Sequence, residues 1–264
     1  MVDTKYKIGL VLSGGGARGF AHLGVIQALN ENNIYPDVIS GTSAGAIAGV
    51  LYADGHTPLE AMRLLNSNSR LHYMRPTVPK EGLLQISGVL RILRDNLKAR
   101  TFAELKIPLF VCATDLNNGK AVYFSDGELI NPIIASASIP VLFKPVVING
   151  ISYVDGGVLD NLPIHPVEKL CRFLIGSFVN PTGYEGNITN LMQIAERTFM
   201  LNISKEVALK AGKFDLYIAP PQLRNYKVLD PEKADRIYKI GYEATLSLLQ
   251  KTDTLKKIRA LGTE

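Results

Sequence analysis

A chain of 264 residues with 47% apolar and 20% charged side chains has the balance of an ordinary soluble globular protein and can bury a large core. Its net charge of +5 is local: residues 70–100 hold seven basic side chains (Arg70, Arg75, Lys80, Arg91, Arg94, Lys98, Arg100) against two acidic ones (Glu81, Asp95), and the remainder balances. That distribution argues against a general polyanion binder, and the lack of aromatic interleaving or recognition motifs argues against nucleic acid.

In chain order, Lys5 and Lys7 precede the apolar run from Ile8 to Leu12, which is too short for a secretory leader and is expected to be a first strand over 7–13. A glycine-rich loop follows, then a helix over 19–32, a short strand at 38–40 and helices over 44–53 and 58–66. Residues 70–100 break the pattern with Pro76, Pro79, Gly82 and Gly88 and read as an insertion. Within it Ile86, Val89, Leu90, Leu93 and Leu97 share one helical face, while Arg91, Arg94 and Lys98 share another. Two readings of this basic amphipathic helix stay open: packing on the core with solvated charges, or a lid or interfacial helix facing anionic headgroups.

Strands are then expected at 108–115, 121–125, 144–154, 173–179 and 215–219, with helices over 131–137, 188–211 and 231–250. Asn117-Asn118-Gly119 between two apolar runs predicts a hairpin, so the sheet is mixed. Alternating strands and helices predict an α/β fold with a mostly parallel central sheet in a single domain over 1–264. Its motif-bearing core covers about 8–168 and its C-terminal part 169–264. Cys112 and Cys171, each inside an apolar run, read as buried free thiols of a reducing compartment without metal-ligand spacing. No run approaches the roughly 18 apolar residues of a membrane span, so a cytoplasmic protein, peripheral at most, is expected.

The chemistry starts at Gly41-Thr42-Ser43-Ala44-Gly45, a G-x-S-x-G sequence between a strand and a helix. A serine held at such a sharp turn needs small neighbours two positions away, which Gly41 and Gly45 provide, and the following helix start favours an alkoxide-like oxygen. Gly14-Gly15-Gly16-Ala17-Arg18-Gly19 satisfies the dinucleotide-binding pattern as well. That pattern needs an acid at the end of the second strand; Asp37 precedes the strand, and Gly41 occupies the position after it. The alternative use is an oxyanion hole of backbone N–H groups, to which Arg18 adds either charge or a brace for the loop.

A serine nucleophile needs a proton acceptor. Of the four histidines, His22 is expected to pack on the sheet, His56 closes a helix, and His72 falls in the insertion. A Ser43, Asp155, His165 triad is disfavoured because ten residues leave little chain to cross between strand ends. Asp155-Gly156-Gly157 places a carboxylate at a strand end with nothing bulky beside it, although alone it would read as a turn.

Together these segments resemble the patatin-like phospholipases, in particular small bacterial members. The loop from Gly14 to Gly19, the elbow from Gly41 to Gly45 and Asp155-Gly156-Gly157 occur in the family's order, and Ala135-Ser136-Ala137-Ser138-Ile139-Pro140 resembles a further, structural block. The resemblance covers about residues 8–168. It implies a three-layer α/β/α sandwich and acyl hydrolysis of a lipid ester by a Ser43-Asp155 dyad, with Gly14 to Gly19 and Ala44 forming the oxyanion hole and no metal or cofactor. A soluble-ester hydrolase or thioesterase is the nearer alternative, and a weakly catalytic lipid- or partner-binding regulator the more distant one.

Overall fold

Three consecutive apolar residues of alternating facing, Leu10, Val11 and Leu12, sit in the middle of the sheet and set its two-sided character. A computed structural model of the chain describes residues 4–67, 87–186, 188–228, 231–251 and 253–260. Its strands are β1 (Tyr6–Leu12), β2 (Val38–Thr42), β3 (Leu109–Asp115), β4 (Lys120–Phe124), β5 (Val146–Ile148), β6 (Ile151–Asp155), β7 (Cys171–Ser177) and β8 (Leu216–Ile218). The helices are α1 (Phe20–Glu31), α2 (Ala44–Ala53), α3 (Pro58–Ser67), α4 (Ser87–Asn96), α5 (Ile130–Ser136), α6 (Leu191–Ala208), α7 (Ala234–Lys251) and α8 (Thr254–Ala260).

The sheet runs β5-β6-β3-β2-β1-β7-β8, with β4 also on β3. From β3 to β8 along that order the neighbours are parallel, whereas β4 and β6 lie antiparallel to β3 and β5 lies antiparallel to β6. Successive strand residues face opposite sides. Ile8, Leu10 and Leu12 therefore join one core with α1, α2, α3, α4, α5 and α7, while Val11 joins a second with α6 and residues 162–167. This is the mostly parallel sheet that the alternation predicts, mixed as the Asn-Asn-Gly hairpin predicts, within the sandwich that the resemblance implies.

One difference from the sequence reading has a local cause. The strand expected over 144–154 is two strands, because Asn149 (φ 50°) and Gly150 (φ 82°) make a tight Asn-Gly hairpin turn between them. The basic helix is present as α4, with Val89, Ile92, Leu93 and Leu97 buried in the larger core. Its apolar face is thus committed to packing, and Arg91, Arg94 and Lys98 point to solvent. Arg70, Arg75, Lys80 and Ile86 lie outside the described residues, as does His72. The Asn117-Asn118-Gly119 hairpin joins β3 to β4, with Gly119 at φ 65°.

Candidate active site

The site forms where two strands run into each other. Residues 111–112 of β3 pair with β2 and with β4, and residues 113–115 pair with β6 and with β4. A strand has two edges, so β2 and β6 share the edge opposite β4. Thr42 pairs with Cys112 and Asp155 with the next residue, Ala113. Because β6 is antiparallel, both strands end at this junction, and Ser43 and Asp155 meet there although 112 positions apart in sequence.

Ser43 is the N-cap of α2 at φ 52° and ψ −118°, a region costly for any residue with a Cβ. The turn survives because its neighbours are glycines. A Cβ on Gly45 would lie 2.4 Å from the Leu12 carbonyl oxygen, and one on Gly41 would lie 2.8 Å from the Ala46 nitrogen. Ser136 Oγ accepts the Ser43 N–H at 2.8 Å and donates to the Cys112 carbonyl. The Asp155 N–H donates to the Ser138 carbonyl at 2.9 Å. The Ala135-to-Pro140 block thus holds both residues by their backbones.

Asp155 is buried, and burial pushes its carboxyl up to about 6. The Ser43 side chain and the Gly157 N–H, which donates to Oδ1 at 2.7 Å, oppose that rise by stabilising the charged form. Among the described residues no histidine takes part. His165 is largely exposed, with Nδ1 3.4 Å from Asp160 Oδ2. His22 is buried between Ser177 Oγ (2.9 Å to Nδ1) and the Ser13 carbonyl (2.8 Å to Nε2), and burial lowers its pKa to about 4. Neutral at physiological pH, it donates Nε2–H to Ser13 and steadies the end of β1. Both cysteines are free and buried.

The glycine loop packs against the elbow: a Cβ on Gly14 would approach Ser43 Cβ at 3.2 Å, and one on Gly19 would meet Ala44 Cβ at 2.5 Å. Its N–H groups divide. Gly14 donates to the Asn161 carbonyl, Ala17 to that of Val228 and Arg18 to that of Gly15. Among the described residues the N–H groups of Gly15, Gly16 and Ala44 have no partner in the protein. Arg18 also donates Nε–H to the Tyr226 carbonyl at 2.7 Å, which makes it a brace for the loop.

Several polar residues at the site carry no motif of their own. Asn161 is buried with its Nδ2 beside both Gly14 and Gly157 and its Oδ1 unpartnered. Thr42 Oγ1 donates to the Asp160 carbonyl at 2.9 Å, and the Asp160 carboxylate receives Lys210 at 2.6 Å and the Tyr123 hydroxyl at 2.6 Å. Lys210 lies just past the end of α6 and pairs also with Glu206. Phe199 of α6 stands 3.3 Å from the Cβ position of Gly157. The preference of buried polar groups for partners could have flagged a lysine set between the apolar residues Leu209 and Ala211, but nothing local named its mate. Among the described residues, no three His, Cys, Asp or Glu side chains are grouped to hold a metal ion, and no helix is long and apolar enough to cross a membrane.

An uncharacterized NTE family protein of Mycobacterium tuberculosis is 37% identical over 163 residues, covering 61% of this chain and 45% of the relative. Lysophospholipase NTE1 of Kluyveromyces lactis is 29% identical over 276 residues, covering 92% of this chain and 19% of the relative. The chain therefore spans less than half the length of these curated relatives. The crystal structure of VipD from Legionella pneumophila matches 93% of this chain and 67% of its own at a TM-score of 0.55 and 18% identity, a likeness of fold. The family model for patatin-like phospholipases matches residues 10–167, and the chain belongs to that family.

Proposed function

We propose that the protein hydrolyses a carboxylic ester of a lipid through a Ser43-Asp155 dyad. Asp155 takes the Ser43 proton as Oγ attacks the ester carbonyl, and the carbonyl oxygen becomes an oxyanion held by the N–H groups of Gly15, Gly16 and Ala44. Collapse breaks the ester C–O bond; Asp155 returns the proton to the departing alcohol and leaves an acyl group on Ser43. Water then attacks the acyl carbon, gives a proton to Asp155, and that proton restores the serine as the fatty acid leaves. The observation that carries this reading is the pairing of a strained serine with a buried carboxylate beside three backbone donors that have no protein partner.

The lipid side of the proposal rests on α6. Its inner face supplies Met200, Ile203 and Val207 to the core, yet Leu191, Ile194 and Leu201 form an outward stripe at spacings of three and seven, with Leu191 81% exposed. Asn202 beside that stripe donates to the Val158 carbonyl, and exposed Leu159 follows, so apolar surface continues to the turn after Asp155. Such a surface suits the acyl region of a lipid aggregate, with the solvated Arg91 and Arg94 of α4 and Lys98 just past its end adding attraction for anionic headgroups.

A fluorophosphonate probe and a lysophospholipid substrate test the chemistry together. Wild-type protein is expected to be labelled at Ser43 and to release fatty acid. Ser43→Ala and Asp155→Asn should each lose activity by on the order of 10³-fold or more. Wild-type turnover in either variant would end the assignment, and loss of activity in His165→Ala would restore the histidine triad.

A further inference from the structure

The first peptide of the glycine loop is held by groups for which the mechanism above has no use. The Gly14 carbonyl oxygen accepts two hydrogen bonds, from Asn180 Nδ2 at 2.7 Å and from Ser13 Oγ at 2.9 Å. Ser13 Oγ is fixed in turn by the Val179 N–H at 3.1 Å. A trans peptide is planar, and its C=O and N–H point in opposite directions. Holding the Gly14 oxygen toward Asn180 therefore turns the Gly15 N–H of the same peptide the other way. That N–H is one of the three without a protein partner.

Asn180 follows β7 by three residues and is fully buried. Its Oδ1 has no partner, and it sits 3.1 Å from the position a Gly15 Cβ would take. Burying an unpaired amide oxygen costs stability, so stability alone favours an apolar residue of the same shape. Two bonds accepted by one carbonyl also polarise its peptide and strengthen the N–H as a donor. Nothing else in the loop orients this peptide so tightly: the Gly14 N–H belongs to the preceding unit and is spent on Asn161.

We propose that Asn180, assisted by Ser13, is a positioning residue that aims the Gly15 N–H at the transition-state oxyanion through the Gly14–Gly15 peptide. This rests on the reading of Gly15 as an oxyanion donor. It assigns a role in turnover to a residue outside the motif-bearing part of the chain, without contact to the substrate.

The test uses the full chain, a monomeric short-chain ester, and a trifluoromethyl ketone whose hemiketal with Ser43 mimics the oxyanion. Asn180→Leu keeps the branching of the side chain and removes the donor. It should lower kcat by about 10²-fold, leave KM unchanged, and weaken the ketone by the factor lost in kcat/KM. Circular dichroism checks that it folds. Ser13→Ala, which removes the second bond, should cost about tenfold by the same readouts. Asn180→Asp, the same size but without a donor at neutral pH, reads the effect if the leucine variant does not fold. A folded Asn180 variant with wild-type kcat overturns the proposal, and so does a loss of kcat with unchanged ketone affinity. Ser43→Ala is run alongside; hydrolysis retained there would remove the serine reading itself, a different outcome from wild-type turnover at position 180.

Discussion

As the proposed base, Asp155 answers two opposed requirements: a base must be ionised to accept a proton, and burial resists ionisation. With its carboxyl raised to about 6, it is a far better proton acceptor than a free aspartate and is still charged at neutral pH. The expected profile of kcat/KM has an acid limb near pH 6, measurable on a soluble ester. Stability carries the mirror image. Between the unfolded value near 3.8 and the folded value near 6, the native state holds the proton more firmly, so stability falls as pH rises through that window. Asp155→Asn removes the titration and should be more stable than wild type above pH 6, by up to about 3 kcal/mol, with the gain gone below pH 4. Denaturant midpoints at the two pH values check it. Ser43 and Asp155 were legible in the sequence because the backbone turn at each demands glycines, and glycines leave a pattern. Ser136 was legible only through the family resemblance, as part of a structural block, and Asn180 was not: it is one polar residue whose partner, Gly14, lies 166 positions away, so no local spacing announces it.

Helix contacts show the same division between what spacing reveals and what packing decides. The amphipathic pattern of α4 was plain, but only packing shows that its apolar face joins the core. For α6 the inner residues follow a helical period, while the outward leucines defeat a simple two-faced reading. Replacing Leu191 and Leu201 by serine should leave hydrolysis of a monomeric ester unchanged and lower the rate on phospholipid vesicles several-fold, a comparison of initial rates on the two substrates. The α1–α7 contact depends on glycine at both sides of the crossing. A Cβ on Gly24 would lie 2.0 Å from the Tyr238 carbonyl oxygen, and one on Gly241 would lie 2.1 Å from that of Ala21. Helix propensity alone favours alanine at either position by about 1 kcal/mol. Backbone overlap reverses the sign, and Gly241→Ala should destabilise by about 1–3 kcal/mol in urea unfolding.

At the scale of the molecule, the family-matched region ends at residue 167, yet β7 pairs with β1 along six registered positions in the middle of the sheet. The loop braces at Asn180, Tyr226 and Val228 also come from beyond it. A fragment of residues 1–168 leaves β1 with an open edge and strips Val11 of its α6 partners. It should show no cooperative unfolding transition by circular dichroism, whatever motifs it retains. The mostly parallel sheet was legible from alternation alone, whereas the sharing of one β3 edge by two strands was not, since register follows from long-range pairing. That shared edge works as a ruler. The offset between Thr42, which precedes the proposed nucleophile, and the proposed base Asp155 is set by the single step from Cys112 to Ala113, about 3.4 Å of strand, and not by the loops that deliver β2 and β6. Loops before and after β3 are therefore free to lengthen or shorten over evolutionary time, while one residue added or lost within residues 111–114 would slide Ser43 and Asp155 out of step.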